Sequence, residues 1–270
     1  MRRTIKRAID FQGSGIHSGQ EAHIRLHPSE SGGICFRLGG IPIPAHISYK
    51  TGDRRGTTLG REGTAVQTVE HLLAAFYGMG ITECLVEFLS GTELPILDGS
   101  ALDFARALHE ESQVLDESAP PLLLPSFSYR QEHVLVESFP EEALTISFLY
   151  DGSRFGLAPQ EYSLAVTPQA FLREIAPART FGFYEELQML QKAGLARGGT
   201  TDNALVIKDG QPLKNEYRMD RELVRHKILD FLGDLSLCGH QVKGRIRAER
   251  SGHFHNTEFV KKMLEVTLWQ

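Results

Sequence analysis

The stretch "RELVRHKILDFLGDLSL", 221–237, carries His226, Asp230 and Asp234 at intervals of four, with Lys227 among them. At 100° per residue, Val224, Ile228, Phe231, Leu232 and Leu235 fall on one side of a helix and the His/Asp stripe on the other. A histidine and an aspartate at i,i+4 put two ligand atoms on one face, a spacing that suits zinc. The plainer alternative is a solvated face with an ordinary i,i+4 pair, and on these residues alone it wins. Gly233, on the same side, weakens a helix and points to something that approaches closely. Lys227 adds a charge suited to an anion.

Four further places could carry chemistry. In "TVEHLL", Glu70 and His71 sit in the first turn of a predicted helix, whose dipole disfavours an imidazolium and keeps His71 neutral, as a ligand must be. A carboxylate beside a ligand histidine can reach a metal-bound water and take its proton, although Glu at a helix start is favourable for its own sake. In "ARTFGF", the Thr180 hydroxyl could donate to an oxyanion, or serve as a turn residue. In "RSGHFHN", His253 stands at the start of the last helix, where it could meet an anion or simply cap the turn. Lys243, Arg245 and Arg247 alternate along one strand, with Arg250 beyond. They could form a phosphate stripe, but a solvated face is the default. "GSGIHSG" at 13–19 lacks the lysine of a P-loop and the strand–helix context of a dinucleotide turn, so both are rejected.

The elements that must hold these residues come in two similar series. "TVEHLLAAFYGMG" reads as a helix closed by glycine, followed by the strand "ITECLVEFLS", the loop "GTELPILDG" and the helix "SALDFARALHEE". Further along, the His/Asp helix is followed by the strand "QVKGRIRAER", the turn "SGH" and the helix "NTEFVKKMLEVTL". Strand-like runs precede each series: "EAHIRLHP" and "GICFRLGGIPIPAHI", then "HVLVES" and "EALTISFLY". "DESAPPLLLPSFSYR" breaks the periodicity between them. The expected organisation is an N-terminal unit 1–117, a linker 118–125 and a C-terminal unit 126–270, with an inserted segment at 184–207. The fold class is α+β, two similar domains of mainly antiparallel sheet packed with helices.

Composition sets the outer bounds. The chain has 270 residues, 41% hydrophobic and 23% charged, enough for a substantial core. A net charge of -5 argues against general nucleic-acid binding but allows a local site for an anionic small molecule. No apolar run approaches a membrane span, and no apolar segment follows the basic "MRRTIKRAID" as a signal peptide requires. Three scattered cysteines fit a reducing cytoplasm better than a disulfide framework.

Taken in order and spacing, "TVEHLLAA", "ELPILDGSA", "ARTFGF", "VRHKILDFLGDL" and "SGH" resemble the UDP-3-O-acyl-N-acetylglucosamine deacetylase family, the zinc enzymes of the committed step of lipid A synthesis. The resemblance runs from "GSGIHSG" to the last helix. It implies two similar α+β domains with the active site in the cleft between them, and a monomeric enzyme acting on an acylated UDP-amino sugar. It further implies zinc held by His71, His226 and Asp230, with Glu70 as general base and Thr180 as oxyanion donor. His253 becomes the general acid or a stabilising charge, oriented by Asp234. Lys227 meets substrate phosphate or other polar groups, Phe183 packs near the nucleotide, and 184–207 shelters the acyl chain with Leu187, Leu190 and Leu195 as lining. Glu83, where a small amide is expected, and His255, beside His253, depart from the family pattern. A non-catalytic sugar-nucleotide or RNA-binding module would not need Glu70 together with the His and Asp ligands. A zinc deacetylase of another amino sugar would not need "ELPILDGSA" and "ARTFGF".

Overall fold

The computed structural model describes residues 1–116, 120–214 and 216–268. Residue 117, at the end of the expected N-terminal unit, and residues 118–119 of the expected linker lie outside the described residues. Two five-stranded sheets dominate. The first uses β1 (Ile9–Ser14), β2 (Glu21–Pro28), β3 (Ile34–Leu38), β4 (Ile41–Pro44) and β5 (Cys84–Ser90), in the spatial order β1-β2-β5-β3-β4. The second uses β6 (Phe127–Gln131), β7 (Val134–Phe139), β8 (Thr145–Tyr150), β9 (Gln160–Ala165) and β10 (Arg245–Glu249), in the order β6-β7-β10-β8-β9. Each sheet is antiparallel except where its last strand runs parallel to its third. The two halves therefore share one topology, and the fold is α+β with two similar domains.

Among the described residues five longer helices complete the frame: α1 (Glu70–Met79), α2 (Leu102–Glu111), α3 (Tyr184–Lys192), α4 (Glu222–Leu235) and α5 (His253–Leu268). Period-two alternation builds the sheets; in β2, Ala22, Ile24 and Leu26 turn inward. Every residue of α1 is buried, which is why its sequence is apolar all round beyond Glu70 and His71 in its first turn. Gly80, at φ 69°, ends α1 in the left-handed conformation that a glycine adopts without strain. α1 packs on α4, α2 on α1, and α5 on α4, while β8 and β9 lie along α4. One core joins these helices to the inner faces of both sheets.

Each half also inserts a small three-stranded sheet before its buried helix: Lys50–Gly52, Thr58–Arg61 and Thr64–Gln67 before α1, and Phe181–Phe183, Leu205–Lys208 and Gln211–Pro212 before α4. Sequence periodicity pointed only to the second insertion. Leu122–Leu123, assigned above to the linker, pairs in parallel with Val242–Lys243. Strand Phe127–Gln131 then extends the second sheet into the stretch that had broken the periodicity. Among the described residues no helix is long and apolar enough to cross a membrane.

Candidate active site where the central helices cross

The solvated-face alternative for the stripe on α4 is overturned. His226, Asp230 and Asp234 are all buried, because α1 lies against that face. The crossing is close: a Cβ at Gly233 would overlap the backbone carbonyl of Glu70. The glycine therefore lets the first turn of α1 settle onto the stripe, which brings Glu70 and His71 beside residues far away in the chain.

His71, His226 and Asp230 present one donor atom each, all within 4.8 Å of one another. His226 donates from Nδ1 to the Ala178 carbonyl at 3.0 Å, which turns Nε2 toward Asp230 Oδ1 at 3.2 Å. That second-partner bond sets the tautomer that leaves Nε2 a free lone pair. Burial, with His226 adding to it, pushes His71 down to about 3, so its ring is neutral at physiological pH. Burial works to raise Asp230, but His226 and Lys227 outweigh it and hold the carboxyl well below its usual range. Lys227 Nζ donates to Asp230 Oδ2 at 2.6 Å. Two neutral-capable imidazoles and an ionised carboxylate at this spacing are a donor set for a divalent transition metal.

Glu70 is buried next to the cluster. Burial pushes its carboxyl up to about 7; His253 opposes that shift, and Asp230 and Asp234 reinforce it. His253 begins α5 and donates from Nδ1 to Asp234 Oδ2 at 2.9 Å, while its Nε2 lies 3.9 Å from Glu70 Oε1. Burial works against its charge, but Asp234 and then Glu70 outweigh it and raise the ring to about 10. The neighbouring His255 turns instead to the Tyr129 hydroxyl at 3.0 Å, so it takes no part in this pair. Glu83 is likewise remote: it holds Arg2 and the Gly33 N–H at the far end of the first sheet.

One cavity opens on the cluster, and a second lies beyond Lys227. The first, of about 390 Å³, is walled by Glu70, His71, Thr180, Ile16 and by Leu187 and Leu190 of α3; Leu195 is not part of that wall. The other, of about 580 Å³, is walled by Lys227, Arg55, Arg154 and Arg250 with Phe155, Phe181 and Phe183. Phe183 is not a free platform, because its ring stacks on Phe155 at 3.5 Å. Arg55 and Arg154 also grip Glu186 of α3, one on each carboxylate oxygen, at 2.8 Å. The phosphate-stripe alternative is not supported: Lys243, just before β10, and Arg245 and Arg247 within it pair with Glu142, Glu141 and Glu249, while Arg250, paired with Asp151 at 3.1 Å, borders the second cavity.

Several supporting residues carried no local signal. Arg179 reads as part of a polar break, yet it is buried and binds Glu222, at the start of α4, through Nε at 2.8 Å and Nη2 at 3.1 Å. That pair anchors the segment bearing Thr180. Gly99, at φ 87°, sits where a Cβ would overlap the Asn203 carbonyl, and its own carbonyl accepts from Thr180 N–H at 2.7 Å. "ELPILDGSA" thus braces "ARTFGF". The glycine loop 13–19 spends its His17 and Ser18 amides on the Glu93 carboxylate, at 2.9 and 2.7 Å, so they are not available to a phosphate. Thr57 and Asn256, neither flagged by spacing, both donate to Asp234.

Comparison with known proteins finds relatives over nearly the whole chain. A family model described as "UDP-3-O-acyl N-acetylglycosamine deacetylase" matches residues 2–265. A protein of Thermodesulfovibrio yellowstonii named UDP-3-O-acyl-N-acetylglucosamine deacetylase is 34% identical, over 99% of this chain and 93% of its own. Proteins of the same name from Leptospira biflexa and Myxococcus xanthus are 37% and 39% identical, over 93% and 97% of this chain and 86% of theirs.

Proposed function

We propose a function from one premise: the chain belongs to the UDP-3-O-acyl-N-acetylglucosamine deacetylase family. It hydrolyses the acetamide of a UDP-3-O-acyl-N-acetylglucosamine, releasing acetate and the free amine, in lipid A biosynthesis. The observation that carries this reading is the buried His71–His226–Asp230 cluster, with Glu70 and His253 beside it, opening on a largely apolar cavity and flanked at Lys227 by a basic one. The donor set fits zinc, and three protein ligands leave a position for substrate or water. Bound there, zinc would act as a Lewis acid on water and on the amide carbonyl.

The protein's own groups supply the proton transfers. Glu70, raised to about 7, takes the proton from the attacking water. The Thr180 hydroxyl donates to the oxyanion that develops on the amide oxygen. His253, protonated and held by Asp234, gives a proton to the leaving amine from Nε2. Lys227, with Arg55, Arg154 and Arg250 in the larger cavity, meets the diphosphate. The Phe155–Phe183 pair borders the nucleotide, and Leu187 and Leu190 border the acyl chain. The three free cysteines, two of them buried, support a cytoplasmic protein, and we take it to be a monomer.

Metal analysis of the purified protein, paired with acetate release by wild type, His226→Ala and Glu70→Ala, tests the mechanism. About one zinc per chain is expected. Loss of metal with loss of activity is expected in His226→Ala, and loss of activity with metal retained in Glu70→Ala. Full activity in metal-free His226→Ala, or in Glu70→Ala, overturns the roles. Equal rates on acylated and non-acylated UDP-sugar would remove the acyl-cavity assignment.

A further inference from the structure

Thr57 has no part in the mechanism above, yet it touches both halves of it. It lies just before the short strand Thr58–Arg61, in the insertion of the first half, and is fully buried. Its backbone N–H donates to Glu70 Oε2 at 2.8 Å, and its carbonyl accepts from Val69 N–H at 3.2 Å. The residue is therefore fixed against the first turn of α1. Its hydroxyl reaches across to α4 and donates to Asp234 Oδ1 at 2.5 Å. His253 Nδ1 lies 3.4 Å from the same hydroxyl, but that ring nitrogen gives its proton to Asp234 Oδ2 at 2.9 Å. The one hydroxyl proton is thus committed to Asp234.

Asp234 is completely buried and accepts three bonds. Two, from His253 Nδ1 and Asn256 Nδ2, converge on Oδ2 from α5; among the described residues only Thr57 binds Oδ1, from the other domain. Two anchors on one oxygen leave the carboxylate free to pivot about that oxygen. Without the hydroxyl, Oδ1 would be a buried acceptor with no partner, and the carboxylate would turn to find one. His253 would turn with it.

We propose that Thr57 is a positioning residue for deacetylation: its hydroxyl locks the Asp234 carboxylate, and so the aim of His253, while its backbone holds Glu70. A single residue then keeps the spacing of base and acid across the domain interface. The inference rests on the catalytic roles proposed above. A displacement of about 1 Å at a proton-transferring group can cost on the order of 100-fold in rate. The hydroxyl matters for geometry rather than for substrate affinity, so the loss belongs in kcat.

The test uses Thr57→Val, which keeps the shape and removes the hydroxyl, Thr57→Ala as a smaller alternative, and Thr57→Ser, which keeps the hydroxyl. Thr57→Val and Thr57→Ala should lower kcat roughly 10- to 100-fold, with KM and bound metal within about twofold of wild type. Thr57→Ser should recover kcat to within about threefold. In an Asp234→Ala background, Thr57→Val should change kcat by less than about twofold, because the partner is gone. Wild-type kcat in Thr57→Val, a Thr57→Ser as slow as Thr57→Val, or an undiminished effect in the Asp234→Ala background would each overturn the proposal. A readout without substrate separates this from failure of the deacetylase reading. The His253 Nδ1 proton, followed by NMR, should exchange faster in Thr57→Val but not in Thr57→Ser. If wild type releases no acetate, the deacetylase reading falls; unchanged exchange in Thr57→Val sinks the Thr57 link on its own.

Discussion

His253 holds its charge because Asp234 and Glu70 outweigh the burial that opposes it. The general-acid role proposed for His253 requires its proton, so activity should be lost as pH rises through its pKa, near 10. Asp234→Asn removes the carboxylate but keeps a hydrogen-bond acceptor. The imidazolium then loses its main support, and its pKa should fall toward the ordinary value of about 6.5. The alkaline limb of kcat/KM against pH should move down by more than about one unit. A limb that stays in place would show that His253 is not the acid. On the other side, Glu70 must be ionised to act as a base, so the rate should fall below about pH 7. The residue types for this pair were legible in "TVEH" and "SGH". Their electrostatic support was not, because Asp234 acts through contacts that no spacing reveals.

Between elements, the decisive contact is the crossing of α1 and α4. Gly233→Ala should favour α4 as an isolated helix by about 1 kcal/mol. In the folded protein the added methyl would overlap the Glu70 carbonyl, and neither backbone can yield as a flexible side chain would. Overpacking of this kind costs roughly 1–3 kcal/mol or more, so destabilisation wins. Urea unfolding should show a lower midpoint, and kcat should fall because Glu70 moves relative to Asp230. A more stable Gly233→Ala would mean the helices do not cross this closely. The conflict with helix propensity is what made the glycine conspicuous in the sequence: a residue unfavourable in a helix marks a close approach. What approaches could not be read, because α1 lies in the other half of the chain.

For the whole molecule, the proposed sharing of a metal by His71 from one half and His226 and Asp230 from the other predicts that metal binding couples to global stability. Zinc in excess of its dissociation constant by about 1,000-fold would add about 4 kcal/mol to the folded state. At this chain length that is a rise in melting temperature on the order of 10 °C. The shift should disappear on chelation and be absent in His71→Ala, whose ligand comes from the first half. Thermal melting of apo and zinc-loaded protein measures it, and an equal shift in His71→Ala would argue that the halves do not share the ion.

The sequence by itself determined the order of helices and strands in two similar halves, because apolar periodicity records which face of each element is buried. It also placed His226, Asp230 and Asp234 on one side of α4, because a helix sets residues four apart on one face. It did not show where that side points. His226, Asp230 and Asp234 had the pattern of a solvated face, and tertiary packing buried all three against α1. Thr57 and Asp234 are separated by 177 positions, and their bond exists only because two domains of one topology bring their central helices together. Local periodicity fixes the direction of a side chain relative to its own element; the group that meets it is decided by long-range packing.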